Sequence, residues 1–218
     1  MVMLILVGAA VSFEVSPGVP RAGVSVRASE QGRLLAERMR GVNLYLVGVM
    51  GSGKSVVGDS VCRKLGSYAF VDTDAMVESA MKKSIPEIFA EGEEYFRDAE
   101  TAVLGQVSPY VRLVVATGGG IVLRKSNWAS LQTGLVVFLD PDEEILEARL
   151  SANPGDRPLL RDTSDVASIL AARRSLYEQA DVRVAVDDPG ETPDQTADRL
   201  IQAVLRFIAD NPPKQPPS

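Results

Sequence analysis

Eight residues constrain this chain more than any others: Gly48-Val49-Met50-Gly51-Ser52-Gly53-Lys54-Ser55. They match G-x-x-x-x-G-K-[ST], follow the apolar run Leu44-Tyr45-Leu46-Val47, and precede a helix-compatible stretch over residues 56–65. Glycines suit such a loop because the backbone must curl until successive N–H groups point inward at phosphate oxygens, partly through positive φ. The pattern predicts that Gly48, Gly51, Ser52 and Gly53 wrap a phosphate chain. Lys54 would reach its β- and γ-phosphates, and the Ser55 hydroxyl would hold Mg²⁺. The following helix would aim its positive N-terminal end at the same anion. A ligand-free glycine turn is the alternative, and the strand and helix on either side count against it. The chain is expected to bind a nucleoside triphosphate, which leaves open what receives the phosphate.

With 218 residues, 45% hydrophobic and 24% charged, the chain can bury one good core, so one domain with tails is expected and no second catalytic domain. A formal charge of −6 argues against a nucleic-acid partner and favours small-molecule chemistry. The lone Cys62 can make neither an internal disulfide nor a multi-thiolate metal site and reads as a small core residue. The absence of histidine excludes Ser-His-Asp triads, His-zinc sites and histidine acid/base catalysis. Proton transfer must fall to a carboxylate, lysine, tyrosine or water.

Residues 1–40 read as an N-terminal extension. Residues 1–13 are apolar and uncharged, too short to span a bilayer, and lack a basic leader. Residues 17–29 are rich in Ser, Gly, Val and Arg without acids, as in an organelle transit segment, with Val26-Arg27-Ala28 as a cleavage neighbourhood. An unstructured extension or a wrongly chosen start carries equal weight. A short helix is expected after Ser29, with Leu34, Leu35 and Met39 packing on the domain. Residues 41–210 form the expected domain, and the proline-dense 211–218 a disordered tail.

Between the tails, strand and helix patterns alternate. Strands are expected at 44–47, 69–71, 113–116, 135–139 and 182–186. Helices are expected at 56–65, 73–81, 85–90, 93–107, 143–150, 166–180 and 192–209. Strands joined by helical crossovers make a parallel sheet covered on both faces. The fold class is therefore α/β, a three-layer α/β/α sandwich with ligands at the carboxyl ends of the strands.

Further clusters fall at those ends. Asp72 and Asp74 are spaced i, i+2, which in an extended segment aims both carboxylates to one side. One would hold Mg²⁺ through water and the other take a proton from a hydroxyl nucleophile. Alternatively, Asp72 or Thr73 caps the next helix. Arg97 and Glu100, at i, i+3 on a helix, read on spacing alone as a surface ion pair. Thr117-Gly118-Gly119-Gly120 follows a strand and permits close approach by a small ligand. Residues 154–161 form a basic loop where a phosphoryl-transfer enzyme needs a mobile lid, placed at about 150–164. Arg157 there would cover the phosphates, with Arg149 as a second contact. Arg173 and Arg174 precede Tyr177 on a helix and both can be read as solvated.

Taken together, GVMGSGKS, FVDTD, IPEIFAEGEEYFR with Glu100 behind it, TGGG, RPLL and RRSLYEQAD resemble the shikimate kinase family in order and spacing, from about Asn43 to Val186. The resemblance implies a P-loop kinase fold of the nucleoside monophosphate kinase type, with ATP and Mg²⁺. It implies transfer of the ATP γ-phosphate to the 3-hydroxyl of shikimate, in the chorismate and aromatic amino acid pathway. Asp74 would orient and deprotonate that hydroxyl, while Lys54 and Arg157 join it in catalysis. Asp72 and Ser55 would serve magnesium. Arg97 and Arg173 would hold the shikimate carboxylate, Gly118, Gly119 and Gly120 line the pocket, and Phe89 and Phe96 wall it. Arg149 and Arg157 would contact ATP.

Two departures from the family pattern stand out. Ser55 replaces the more frequent threonine, and the adjacent arginines leave the register open by one, with Arg173 chosen for its place four before Tyr177. A gluconate or nucleoside monophosphate kinase, and a non-catalytic binding module, are the rival readings. The paired acids, GEEYFR and the triple glycine count against the first; retention of Lys54, Asp74, Arg97 and Arg173 counts against the second. The chain is expected to act as a monomer, without nucleic-acid or membrane partners. It would lie in the plastid stroma if residues 1–28 are a transit segment and in the cytoplasm otherwise.

Overall fold

The computed structural model describes the backbone of residues 2–6, 9–13, 28–152 and 165–212, with side chains at 28–152 and 166–212. An N-terminal hairpin of β1 (Val2–Leu6) and β2 (Ala9–Phe13) comes first, then α1 (Glu30–Met39). There follow β3 (Leu44–Val47), α2 (Lys54–Leu65), β4 (Ala69–Asp72), α3 (Thr73–Met81), α4 (Ile85–Glu91), α5 (Glu93–Val107) and β5 (Leu113–Ala116). The rest comprises α6 (Lys125–Leu131), β6 (Leu135–Pro141), α7 (Glu143–Ala152), α8 (Asp165–Tyr177), β7 (Val182–Val186) and α9 (Pro193–Asp210).

The five later strands form one parallel sheet in the order β4-β5-β3-β6-β7. Strand β3 is central because all four of its residues are apolar and buried, as a strand covered on both faces requires. Its side chains alternate: Tyr45 and Val47 enter one core with α3 to α8, while Leu44 and Leu46 enter a second core with α1, α2 and α9. The result is the expected three-layer α/β/α sandwich.

Helix α1 is tied to the second core. Ser29 caps it by accepting from Gly32 N at 2.9 Å, and Leu35 and Met39 are buried while Leu34 stays 42% exposed. Cys62 is buried in the same layer, its thiol donating to Tyr68 O at 3.0 Å. Burial pushes that thiol up to about 11.

Some boundaries differ from the sequence expectation. Helix α2 starts at Lys54 rather than 56, because Gly53 takes φ 95° as its N-cap and turns the loop straight into the helix. Strand β6 runs on to Pro141, and α8 ends at Tyr177 rather than 180. The β1–β2 hairpin and α6, with a 3₁₀ turn at Ile121–Leu123 before it, were not among the expected elements. Helix α6 is held by tertiary bonds: Asn127 Nδ2 donates to Ile121 O at 2.8 Å and Trp128 Nε1 to Val122 O at 3.3 Å.

Candidate active site

The glycine-rich loop leaves the carboxyl end of β3, the middle of the sheet, with the ends of β5 and β6 on either side. This is the crevice where open α/β sheets take ligands. Gly48, at φ 148°, lies so close to β6 that a Cβ would sit 2.6 Å from Leu139 O. Lys54, buried at the first turn of α2, donates from Nζ to Gly48 O at 2.8 Å, Val49 O at 2.9 Å and Ser52 Oγ at 3.3 Å. Burial lowers its ammonium to about 8, against the opposing pull of Asp74 and Asp72. Arg149 reaches the loop from α7, its Nη1 3.3 Å from Ser52 O and 3.5 Å from Gly51 O.

The two aspartates do not share one extended strand. Asp72 ends β4 and caps α3, its Oδ1 accepting from Asp74 N at 3.0 Å and Ala75 N at 3.3 Å, whereas Asp74 belongs to the helix. The i, i+2 argument thus gives way to a strand-to-helix junction that nonetheless brings both acids to the crevice. The cap and the site are compatible because each uses a different oxygen: Asp72 Oδ2 accepts from Ser55 Oγ at 2.6 Å. Asp74 Oδ1 is buried without a hydrogen-bond partner. Its carboxyl is raised to about 7 by burial first and then by Glu100 and Asp72, with Lys54 opposing.

The triple glycine makes room chiefly for the protein's own charges. A Cβ on Gly118 would lie 2.2 Å from Glu100 Oε1 and 2.6 Å from Asp74 Oδ1, and one on Gly120 would lie 1.9 Å from Arg97 Nη1. Gly119 instead faces the phosphate loop, where its Cβ would be 3.2 Å from Met50 N. Side-chain bonds anchor the first two residues of this segment: Thr117 Oγ1 donates to Leu46 O at 2.9 Å, and Gly118 N donates to Thr73 Oγ1 at 3.1 Å.

Arg97 and Glu100 are no surface pair. Their side chains are 5% and 2% exposed and meet at 2.5 Å, because α5 lays them under the β5 loop. Phe89 and Phe96, with ring centroids 5.4 Å apart, pack against the guanidinium. Burial also pushes Glu100 upward, against the Arg97 charge, and leaves its Oε1 unpartnered beside that of Asp74.

The adjacent arginines separate cleanly. Arg173 Nη1 donates to Gly119 O at 3.2 Å, alongside Tyr177 OH at 2.6 Å. Arg174 turns away and grips the buried Asp140 through Nη1 and Nη2 at 3.0 and 3.1 Å, while Arg183 takes Asp140 Oδ2 at 2.6 Å. Tyr177 and Asp140 were not among the expected site residues; a tyrosine one helical turn after an arginine was the available signal for the first. Asp140 carried none, since its partners come from α8 and β7. Arg157 and residues 153–164 of the lid expected at about 150–164 lie outside the described residues.

The crevice thus gathers the glycine-rich loop with Lys54 at the start of α2, Asp74 at Gly118, Arg173 at Gly119 and the buried Arg97 at Gly120. Among the described residues no helix is long and apolar enough to cross a membrane, and no three His, Cys, Asp or Glu side chains are grouped to hold a metal.

Comparison with known proteins agrees with this geometry. The family description "Shikimate kinase" matches residues 50–205. A shikimate kinase from a Nostoc species is 49% identical over 184 residues, covering 81% of this chain and 100% of its own. The solved shikimate kinase from Acinetobacter baumannii in complex with shikimate aligns with TM-score 0.68 and 34% identity, covering 83% of this chain and 99% of that one. A gluconokinase from Sinorhizobium meliloti aligns with TM-score 0.52 and 19% identity over 78% of this chain and 95% of that one, which is a likeness of fold. Motif order, sheet order and the matches to known proteins converge on one assignment: the chain belongs to the shikimate kinase family.

Proposed function

We propose that this chain transfers the γ-phosphate of ATP to the 3-hydroxyl of shikimate, giving 3-phosphoshikimate and ADP. The observation that carries this reading is the buried Arg97 guanidinium set across the triple glycine from the unpartnered Asp74 Oδ1. An acid with a ring hydroxyl needs such a pair: a cation for its carboxylate and a base for its hydroxyl.

In this reading, Arg97 and Arg173 grip the shikimate carboxylate, Phe89 and Phe96 wall the ring, and Gly118, Gly119 and Gly120 let it approach. A charge-assisted bond of this kind contributes about 1.5–3 kcal/mol. Asp74 accepts the hydroxyl proton as the oxygen bonds to the γ-phosphorus and the bond to the departing ADP oxygen breaks. A carboxyl raised to about 7 is matched to that task at neutral pH. Lys54 leaves its loop carbonyls for the phosphates, and Arg149 and Arg157 join it there. Ser55 Oγ and Asp72 Oδ2, hard oxygen donors 2.6 Å apart, fit Mg²⁺, a cation that keeps several waters and shares phosphate oxygens. When bound, Mg²⁺ neutralises charge developing on the phosphate oxygens.

Action as a monomer is part of this proposal. We also retain as a proposal that residues 1–28 are a plastid transit segment; sequencing the native N-terminus tests it, and an intact Met1 refutes it. The central experiment is ADP release from Mg-ATP by the full chain with shikimate, gluconate, AMP or no acceptor. Stimulation by shikimate alone is expected. Stimulation by another acceptor instead refutes the acceptor assignment, and no turnover from folded, ATP-binding protein refutes the enzymatic one.

A further inference from the structure

Arg97 is engaged on two sides by carboxylates. Its Nη1 donates to Glu100 Oε2 at 2.5 Å, while Nη2 and Nε donate to Glu93 Oε1 at 3.0 and 3.3 Å. The aromatic rings of Phe89 and Phe96 sit with centroids 5.8 and 5.2 Å from Cζ. Nε and Nη2 form the side-on edge through which a guanidinium takes a carboxylate by two parallel bonds. One oxygen of Glu93 spans that edge.

The two glutamates are not equivalent. Glu100 is 2% exposed, wedged behind Gly118, and its removal would leave a buried guanidinium short of a counter-charge. Glu93 is 48% exposed and opens α5 at its first position, so its side chain can turn into water at little cost. An incoming acid can displace Glu93 and cannot displace Glu100.

We propose that Glu93 is a displaceable stand-in for the acceptor's carboxylate. It closes the side-on edge of Arg97 until an acid competes it away, and so sets how tightly the acceptor binds. The inference rests on the reading that Arg97 anchors shikimate. The apparent affinity of a ligand falls in proportion to the fraction of protein competent to bind it. A half-exposed ion pair holds its closed form by about two- to five-fold. Glu93 also sharpens selectivity, because a neutral polyol brings no charge with which to displace it.

The test compares the full-length wild type with Glu93→Gln and Glu93→Ala. Shikimate binding is followed by the fluorescence of the lone Trp128, which lies in α6 just beyond the triple glycine, and steady-state kinetics are measured in both substrates. Both variants are expected to bind shikimate about two- to five-fold more tightly, with kcat and the KM for ATP unchanged. Damage to the site would move affinity the other way. Unchanged or weaker shikimate binding in both variants, with an active wild type, overturns the role of Glu93 alone. A wild type that neither binds nor phosphorylates shikimate overturns the functional reading, and this inference with it.

Discussion

Gly118→Ala adds one methyl group at the point where Asp74 and Glu100 converge. The backbone tolerates it, since Gly118 lies outside the positive-φ region, so the consequence is confined to what the methyl meets. It meets Glu100 Oε1 at 2.2 Å and Asp74 Oδ1 at 2.6 Å. To regain an ordinary 3.4 Å contact, the carboxylates must retreat by about 1.2 Å and about 0.8 Å respectively. Glu100 is pinned by Arg97 and Asp74 is enclosed, so neither retreats without carrying the site with it. A misplacement of about 1 Å in a reacting group can cost about 10²-fold in rate, so kcat should fall by about that factor. The assay is coupled ADP release at saturating ATP with shikimate varied, beside a thermal melt to establish folding. Gly120→Ala is the companion: its methyl would meet the Arg97 guanidinium, so KM for shikimate should rise more than kcat falls. A folded Gly118→Ala enzyme with kcat within about threefold of wild type would refute the placement of Asp74 at the reacting hydroxyl.

Asp74 also sets a pH dependence. Its carboxyl is raised to about 7 in the folded chain, so kcat/KM should fall as pH drops below that value, and Asp74→Asn should lower kcat by about 10²-fold or more. Because the folded state holds this proton where the unfolded chain, near 3.8, has released it, stability is lost as pH rises from about 4 to about 7. Asp74→Asn should therefore melt higher than wild type at pH 8; a lower melting temperature there would contradict the burial argument. Arg173→Ala should raise KM for shikimate about tenfold or more with little change in melting. Arg174→Ala should do the reverse, lowering urea stability by about 1–2 kcal/mol through loss of its bonds to Asp140, and equal kinetic effects would refute the division between them. Cys62, with its thiol buried and raised to about 11, should react with a disulfide reagent only as the chain unfolds; prompt labelling of native protein would contradict its place in the core.

What could be read from the sequence was what neighbours in sequence decide. The phosphate loop is local: the glycines, the lysine and the helix start lie within a dozen residues, and the structure differs only in starting α2 at Lys54. The five sheet strands stood out as short apolar runs between helical patterns. Arg97 and Glu100 show where this reasoning stops. Their i, i+3 spacing describes any exposed ion pair, and only the β5 loop, arriving from twenty residues away, buries them. The same holds for the contacts of Arg173 and Arg174, adjacent on one helix and separated by Asp140 on one side and Gly119 on the other. Helix α6 escaped because its seven residues include two serines and an asparagine, poor helix formers that succeed through bonds to the preceding 3₁₀ turn. The paired aspartates were placed at the crevice by position, while the extended geometry offered for them was wrong at the very residue where strand becomes helix.

The strand order also governs when the nucleotide site can exist. Strand β3 carries the loop, yet its hydrogen-bonding neighbours β5 and β6 lie some seventy and ninety residues farther along the chain. As the polypeptide leaves a ribosome, the glycine-rich segment emerges early with its supporting strand unpaired, and loop closure over that distance must come before any ladder bond can form. The loop is thus synthesised well before the two strands that support it. A nascent chain that stops short of β6 carries every letter of the motif, but the central strand still lacks one of the two neighbours that hold the loop in shape.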